Sequence, residues 1–253
     1  MKSIIALSLI ALCCIGCKHQ KGDILLRLKY YPSEKIDVRY RTYTLTGNEN
    51  DEPMINEMVR FGLKVDSVTH DSLFHLSAKI DYIRAKNGGL LGSEYSSDKD
   101  EEMMSPQEKA MHTIFKPMID SSYKLTINNR GEVREPLTYT SGATVSRPPI
   151  NYTNYQPIFP KDKVAIGEEW TETTGLSKTK NRRECAYHIE SIYQSIIQIK
   201  VTGKMEMITG GMKEFSGRYM IDQKTSELVS AKIEIPLSKC PRKLTAVIDI
   251  ESH

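Results

Sequence analysis

The five cysteines carry the most reactive chemistry in this chain, and their positions divide them. Cys13 and Cys14 lie inside an apolar run from Ile4 to Ile15 that only Ser8 interrupts, and Cys17 follows that run after Gly16. Cys185 and Cys240 stand far downstream. In an oxidising compartment two remaining thiols pair, or each is buried as a small apolar side chain, and both alternatives stay open for Cys185 and Cys240. Other catalytic groupings are not found. His70, His75, His112, His188 and His253 form no i,i+4 pair, and there is no His-Glu-x-x-His run to hold zinc. No Gly-x-Ser-x-Gly elbow and no glycine-rich phosphate loop occurs, so no enzymatic site, cofactor or metal is expected. Asp98 to Glu102 is acidic, but it lacks the glycine and the closing glutamate of an EF-hand loop and reads as a solvated loop. Met205, Met207, Met212 and Met220 fit core or pocket filling better than soft-metal ligation.

The apolar run sets the context for Cys17. With Lys2 before it and small residues after it, the run reads as a secretory leader. At about 1.5 Å per residue its helix would reach only ~18 Å, short of the ~30 Å hydrocarbon core. Residues 1–16 are therefore expected to be removed. Cys17, at the end of the lipobox-like Ile15-Gly16-Cys17, is expected to carry lipid, with residues 17–23 as a polar tether. That predicts a membrane contact through the N-terminal lipid and an address in the bacterial cell envelope, at the outer membrane. Losing Lys2 with the leader takes the formal charge from +3 to about +2, and no basic stripe of the kind nucleic acid requires is present.

Residues 24–253 predict a single, mostly β domain. The chain is 39% hydrophobic and 26% charged, within the ordinary globular range. Leu26, Leu28 and Tyr30 alternate with Arg27 and Lys29, and Ile36, Val38 and Tyr40 alternate with Asp37, Arg39 and Arg41. The same period of two recurs in Val59–Val65, Phe74–Tyr82 and Tyr123–Ile127, and then at roughly ten-residue spacing from Val164 to Ile250. This is the pattern of an antiparallel curved sheet, a meander or half-barrel, with one wet face.

Residues 105–120 hold the main amphipathic helix. Ser105, Pro106 and Glu108 form a capping box with proline at the first helical position. Met111, Ile114, Phe115 and Met118 make an apolar stripe along one face and form the candidate apolar pocket. Pro117 should kink or end the helix between Phe115 and Asp120. About 136–163, proline-rich and without a period, is read as a long loop packed over the domain.

Several of these segments in order, the lipobox, Tyr123–Val133, Phe159-Pro160, Val164–Trp170 and Asp222–Leu228, resemble a family of uncharacterised Bacteroidetes-type lipoproteins filed under a domain of unknown function. The resemblance implies an exported, lipid-anchored, β-rich domain and no reaction. A looser likeness is to the half-barrels of lipoprotein and lipid carriers, in which a curved sheet cups a helix. Two roles follow. One is a binding module for an apolar ligand held between sheet and helix. The other is a structural or assembly lipoprotein that contacts another envelope protein. A cavity of ~300 Å³ or more beneath the helix would favour the first role, and a filled core the second.

Overall fold

The computed structural model describes residues 23–45, 54–86, 94–139, 156–175, 182–206, 211–236 and 243–252. The N-terminal strands are β1 (Lys35–Leu45), β2 (Met54–Val68), β3 (Leu73–Lys86), β4 (Glu94–Ser96), β5 (Ser122–Asn128) and β6 (Val133–Tyr139), with helix α1 (Pro106–Ile119) between β4 and β5. The C-terminal strands are β7 (Glu169–Thr174), β8 (Arg183–Tyr193), β9 (Ile196–Glu206), β10 (Met212–Asp222), β11 (Leu228–Pro236) and β12 (Lys243–Ser252). All join one antiparallel sheet in the order β6-β5-β3-β2-β1-β12-β11-β10-β9-β8-β7, with β4 paired to β3. The expected fold class is the observed one. Two meanders are fused where the first strand meets the last, from Ile36 opposite Ser252 to Leu45 opposite Lys243.

The two ends of the sheet differ. At one end, here the turn end, strands are joined by tight connections: Thr69–Ser72, Asn129–Glu132, Gln194-Ser195 and Gln223–Glu227. Non-glycine residues with positive φ cluster here: Ser33, Ser72, Gln194, Ser195 and Ser226. Positive φ at both Gln194 and Ser195 is the type I′ geometry that matches strand twist. The connections at the opposite, loop end, 46–53, 87–93, 140–155, 176–181, 207–210 and 237–242, lie outside the described residues.

One apolar cluster runs across the whole inner face, from Ile36, Val59 and Leu76 through Ile248 and Ile233 to Ile199 and Ile189. The alternation seen in the sequence is realised strand by strand, with charges such as Arg41 and Asp249 paired on the outer face. In β9, Gly203 permits a close approach, since a Cβ there would lie 2.0 Å from the Glu184 carbonyl oxygen.

Three expectations need correction. Ile24–Tyr30 has the buried alternation of a strand but makes no ladder. It is an extended strap across the turn end, touching the fold through a bridge of Ile24 to Val164 and the Leu28 amide donating to the Asn129 carbonyl at 2.8 Å. The loop before the helix contains β4, whose Tyr95 is fully buried. The long loop expected over about 136–163 starts too early, because β6 runs through Pro136 to Tyr139 as an edge strand, the place where a sheet tolerates proline.

The capping box forms as expected. The Ser105 hydroxyl accepts from the Glu108 amide at 3.3 Å, and the Glu108 carboxylate accepts from the Ser105 amide at 2.7 Å. A hydrogen bond from the Lys99 ammonium, backed by the Ser105 amide, holds Glu108 down at about 2. Pro117 lies in the last turn, where the helix ends two residues later.

The turn at Asn128–Gly131 is set by its glycine, with φ +83°. A Cβ at Gly131 would stand 2.6 Å from the Pro157 carbonyl oxygen. Gly131→Ala combines a left-handed backbone penalty with that collision and should cost about 1–3 kcal/mol, read as a lower urea midpoint at unchanged slope.

Candidate functional site

The sheet curls because its two edges are tied together. Arg130, in the β5–β6 turn, is buried; its Nε donates to the Phe159 carbonyl at 2.8 Å and its Nη1 to Glu132 at 2.9 Å. Its Nη2 reaches Glu172 on β7. In a flat sheet β5 and β7 would be ~43 Å apart at ~4.8 Å per strand, so this contact exists only in a trough. The segment 156–164 fills the seam. Ile158 and Phe159 are buried, the Trp170 indole donates to the Ile158 carbonyl at 3.0 Å, and Trp170 stacks on Tyr187 with ring centroids 5.2 Å apart.

A second polar strip lies on the inner face of β8. Arg183 is buried and donates to the Gln156 carbonyl at 2.8 Å; Cys185 and Tyr187 follow at alternate positions, with Glu172 opposite Cys185. Burial pushes the Cys185 thiol up and the Tyr187 phenol well up, so both stay neutral and the thiol is a poor nucleophile. Towards the loop end of β2, Glu57 sits between Thr42 and Ala85, and burial raises it to about 7.

The third grouping is a cleft of about 340 Å³ at the turn end, between β1 and the β10–β11 hairpin. Tyr30, Ile36 and Leu228 supply its apolar side, and Asp222, Lys224 and Glu227 its polar side. Asp222 organises the hairpin. Its carboxylate accepts from the Lys224 amide at 2.8 Å, the Thr225 amide at 2.9 Å and the Thr225 hydroxyl at 3.2 Å, and these bonds hold its pKa low. Glu227 is hydrogen-bonded to Glu34, whose carboxylate also accepts from the Tyr31 amide at 2.7 Å. Burial, and then the neighbouring Glu34, push Glu227 up to about 7.

The residues singled out from sequence fall elsewhere. Cys17 and Cys240 lie outside the described residues. Cys185 is a buried free thiol; β11 ends and β12 begins at its end of the sheet, with three strands between. The candidate apolar pocket is corrected at Ile114, which points to solvent and is 60% exposed. Met111, Phe115, Met118 and Ile119 face the core instead. The helix packs chiefly on β3 and β4 near one edge, where Phe115 stacks on Tyr95 at 5.2 Å and the Tyr123 hydroxyl donates to the Met118 carbonyl at 2.8 Å. It does not roof the middle of the trough. Glu34, Lys224 and Glu227 were not singled out from sequence as site residues, and Asp222–Glu227 entered only within the resemblance motif Asp222–Leu228.

The fold is thus an open, curled antiparallel sheet with one edge helix and a strapped end. No protein-family profile matches the chain, and no curated protein matches it. Two solved structures align over most of its length. One is provisionally described as a lipoprotein, from Parabacteroides distasonis ATCC 8503, with 12% identity and a TM-score of 0.35, covering 91% of this chain and 100% of that one. The other is provisionally described as an exported protein with a YmcC-like fold, from Bacteroides fragilis NCTC 9343, with 11% identity and a TM-score of 0.31, covering 89% of this chain and 99% of that one. At these scores neither alignment bears on function.

Two stability outcomes follow from the polar groups. Glu172→Ala leaves a buried guanidinium short of a partner and should cost about 3 kcal/mol in denaturant unfolding. Glu57 is protonated more readily folded than unfolded, so its contribution is present at low pH and is lost as pH rises from the ordinary carboxylate range through about 7. Glu57→Gln should therefore gain stability relative to the parent between pH 5 and 8, by about 2 kcal/mol.

Proposed function

We propose that this protein is a lipid-anchored protein of the bacterial cell envelope, at the outer membrane, with a structural or assembly role rather than an enzymatic one. The observation that carries this reading is the strap: the segment that follows the tether runs straight into the core, where Leu26 is 0% exposed. The trough's turn end is occupied by the chain itself, and the helix stripe is spent on the sheet edge. An apolar ligand under the helix is therefore not the reading favoured. From Cys17 the polar residues Lys18–Asp23 span at most about 21 Å at full extension, so a lipid on Cys17 would hold the turn end close to the bilayer through a buried element. Acyl chains contribute ~0.8 kcal/mol per buried methylene, and several together anchor stably. Such a mount fixes standoff and orientation, which suits a part that contacts another envelope protein.

Cys17→Ser should move the protein from the membrane pellet to the soluble fraction or block its processing; unchanged detergent partitioning and unchanged mass would overturn the anchor. Trp170, the single tryptophan, stands opposite Tyr187 partway along β8 and bonds to the seam segment through the Ile158 carbonyl. In vesicles bearing a dansyl-labelled phospholipid it should transfer energy to the membrane, and a flexible insert of about twenty Gly/Ser residues after Lys21 should abolish the transfer. No transfer with the native tether would rule out the close mount.

A further inference from the structure

The strap has two faces, and only one of them is spent on the core. Leu26, Leu28 and Tyr30 point into the trough and are buried, so at a period of two Leu25, Arg27, Lys29 and Tyr31 point away from it. Leu25 is 51% exposed and Tyr31 68% exposed. This outward row sets two large apolar side chains around two cations and contains no acid. The fold places the cations. Arg27 Nη1 donates to the Pro160 carbonyl at 2.7 Å and its Nη2 to the Lys161 carbonyl, while the Lys29 ammonium donates to the Lys224 carbonyl at 2.8 Å. The exposed residues Lys161 and Lys224 therefore stand beside the row. Nearby acids are turned to other tasks: Asp222 accepts from the Lys224 and Thr225 amides, and Glu34 from the Tyr31 amide. Asp23 and Asp162 are the exposed acids of the strap and seam segments.

Apolar exposure gathers at the same end of the sheet. Of the eight large apolar side chains exposed among the described residues, five lie on the strap or where strands meet the turn-end connections: Leu25, Tyr31, Val133, Tyr193 and Val229. Such grouping marks a contact surface. Tyrosine and leucine among lysine and arginine suit the boundary of a membrane, where rings and aliphatic stems enter and polar tips stay wet.

We propose that the outward row of the strap is a second contact with the membrane. Leu25 and Tyr31 enter the headgroup region of a bilayer, and the charges of Arg27, Lys29, Lys161 and Lys224 meet the phosphates of anionic phospholipids. The proposal rests on the lipid-anchored reading, because a lipid on Cys17 brings this end within reach. Residues 18–23 span at most about 21 Å and lead directly into the strap, so the row is the part of the fold that the bilayer meets first. A protein partner at this end would have to fit between the fold and the bilayer to which the tether ties it. The lipid supplies attachment, and the row supplies orientation.

The test uses the lipidated protein reconstituted in vesicles whose lipids carry bromine on the upper acyl chain, a short-range quencher of indole fluorescence. Tyr31→Trp places an indole in the row, and Met212→Trp places one on an exposed apolar site at the loop end; the parent supplies the Trp170 background. In phosphatidylglycerol vesicles the Tyr31→Trp indole should lose about half its emission or more, and the Met212→Trp indole almost none. Phosphatidylcholine in place of phosphatidylglycerol, or salt raised from about 0.1 M to about 1 M, should restore most of the loss. Each cation near an anionic surface is worth on the order of fivefold in the contact equilibrium, and salt screens it. Leu25→Trp carries the same expectation and takes the place of Tyr31→Trp where that variant does not fold. Protein that floats with the vesicles in a density gradient while both strap indoles stay unquenched overturns the strap contact and leaves the lipid anchor standing. Protein that does not float overturns both. Equal quenching of the Met212→Trp indole, or quenching indifferent to headgroup charge and salt, would also overturn the proposal.

Discussion

The ion pair between Arg130 and Glu172 joins two places that the strand order puts almost as far apart as the sheet allows. Eleven strands in one path present a broad apolar face, and α1, the single α-helix among the described residues, lies at one edge and cannot cover it. Curling is the remaining way to take that face out of water, and curling needs something to meet across the seam. Arg130 does this with a fork of donors that engages Glu132, Glu172 and the Phe159 carbonyl together. The seam segment, the Trp170–Tyr187 stack and the buried strip around Arg183 all lie where that closure puts them.

The strap depends on the same curl. A chain that crosses an open end can be buried only if both walls are near, and Ile24–Tyr30 has partners on both: Asn129 beyond β5 on one side and Val164 before β7 on the other, with Ser226 between. Arg27 adds hydrogen bonds to the Pro160 and Lys161 carbonyls. Residues 24–30 thus serve as the end-plate of the domain.

Much of the fold was legible in the sequence. Period two identifies which side chains of a strand go inside, and it did so for Ile36, Val38 and Tyr40 as for Ile197, Ile199 and Val201. The capping box located the helix start to the residue, because Ser105, Pro106 and Glu108 act locally. Partnership was not legible. Alternation at Leu26–Tyr30 looks the same whether the segment joins a ladder or plugs an end, and nothing local says that β1 pairs with β12. The helix stripe failed at one position for a similar reason: Met111, Phe115, Met118 and Ile119 define the buried face, and Ile114 belongs to it only by hydropathy. The turn-end cleft was hidden because Glu34 and Glu227 are 193 positions apart in two unremarkable turns, and their hydrogen bond exists only after the sheet has curled.

The fused meanders have a consequence for the order in which the molecule can assemble. Arg27 bonds to Ser226 across 199 positions, and Ile36 pairs with Ser252 across 216. A chain delivered N-terminus first therefore offers its strap and its first strand long before their partners exist. The hairpins within each half can form as they emerge, but closure waits for the last strand. Topologies dominated by such distant pairings fold slowly, because the entropy of a very large loop must be overcome before the contacts that offset it are made. The segment nearest the tether is thus among the first to be synthesised and the last to be locked in place.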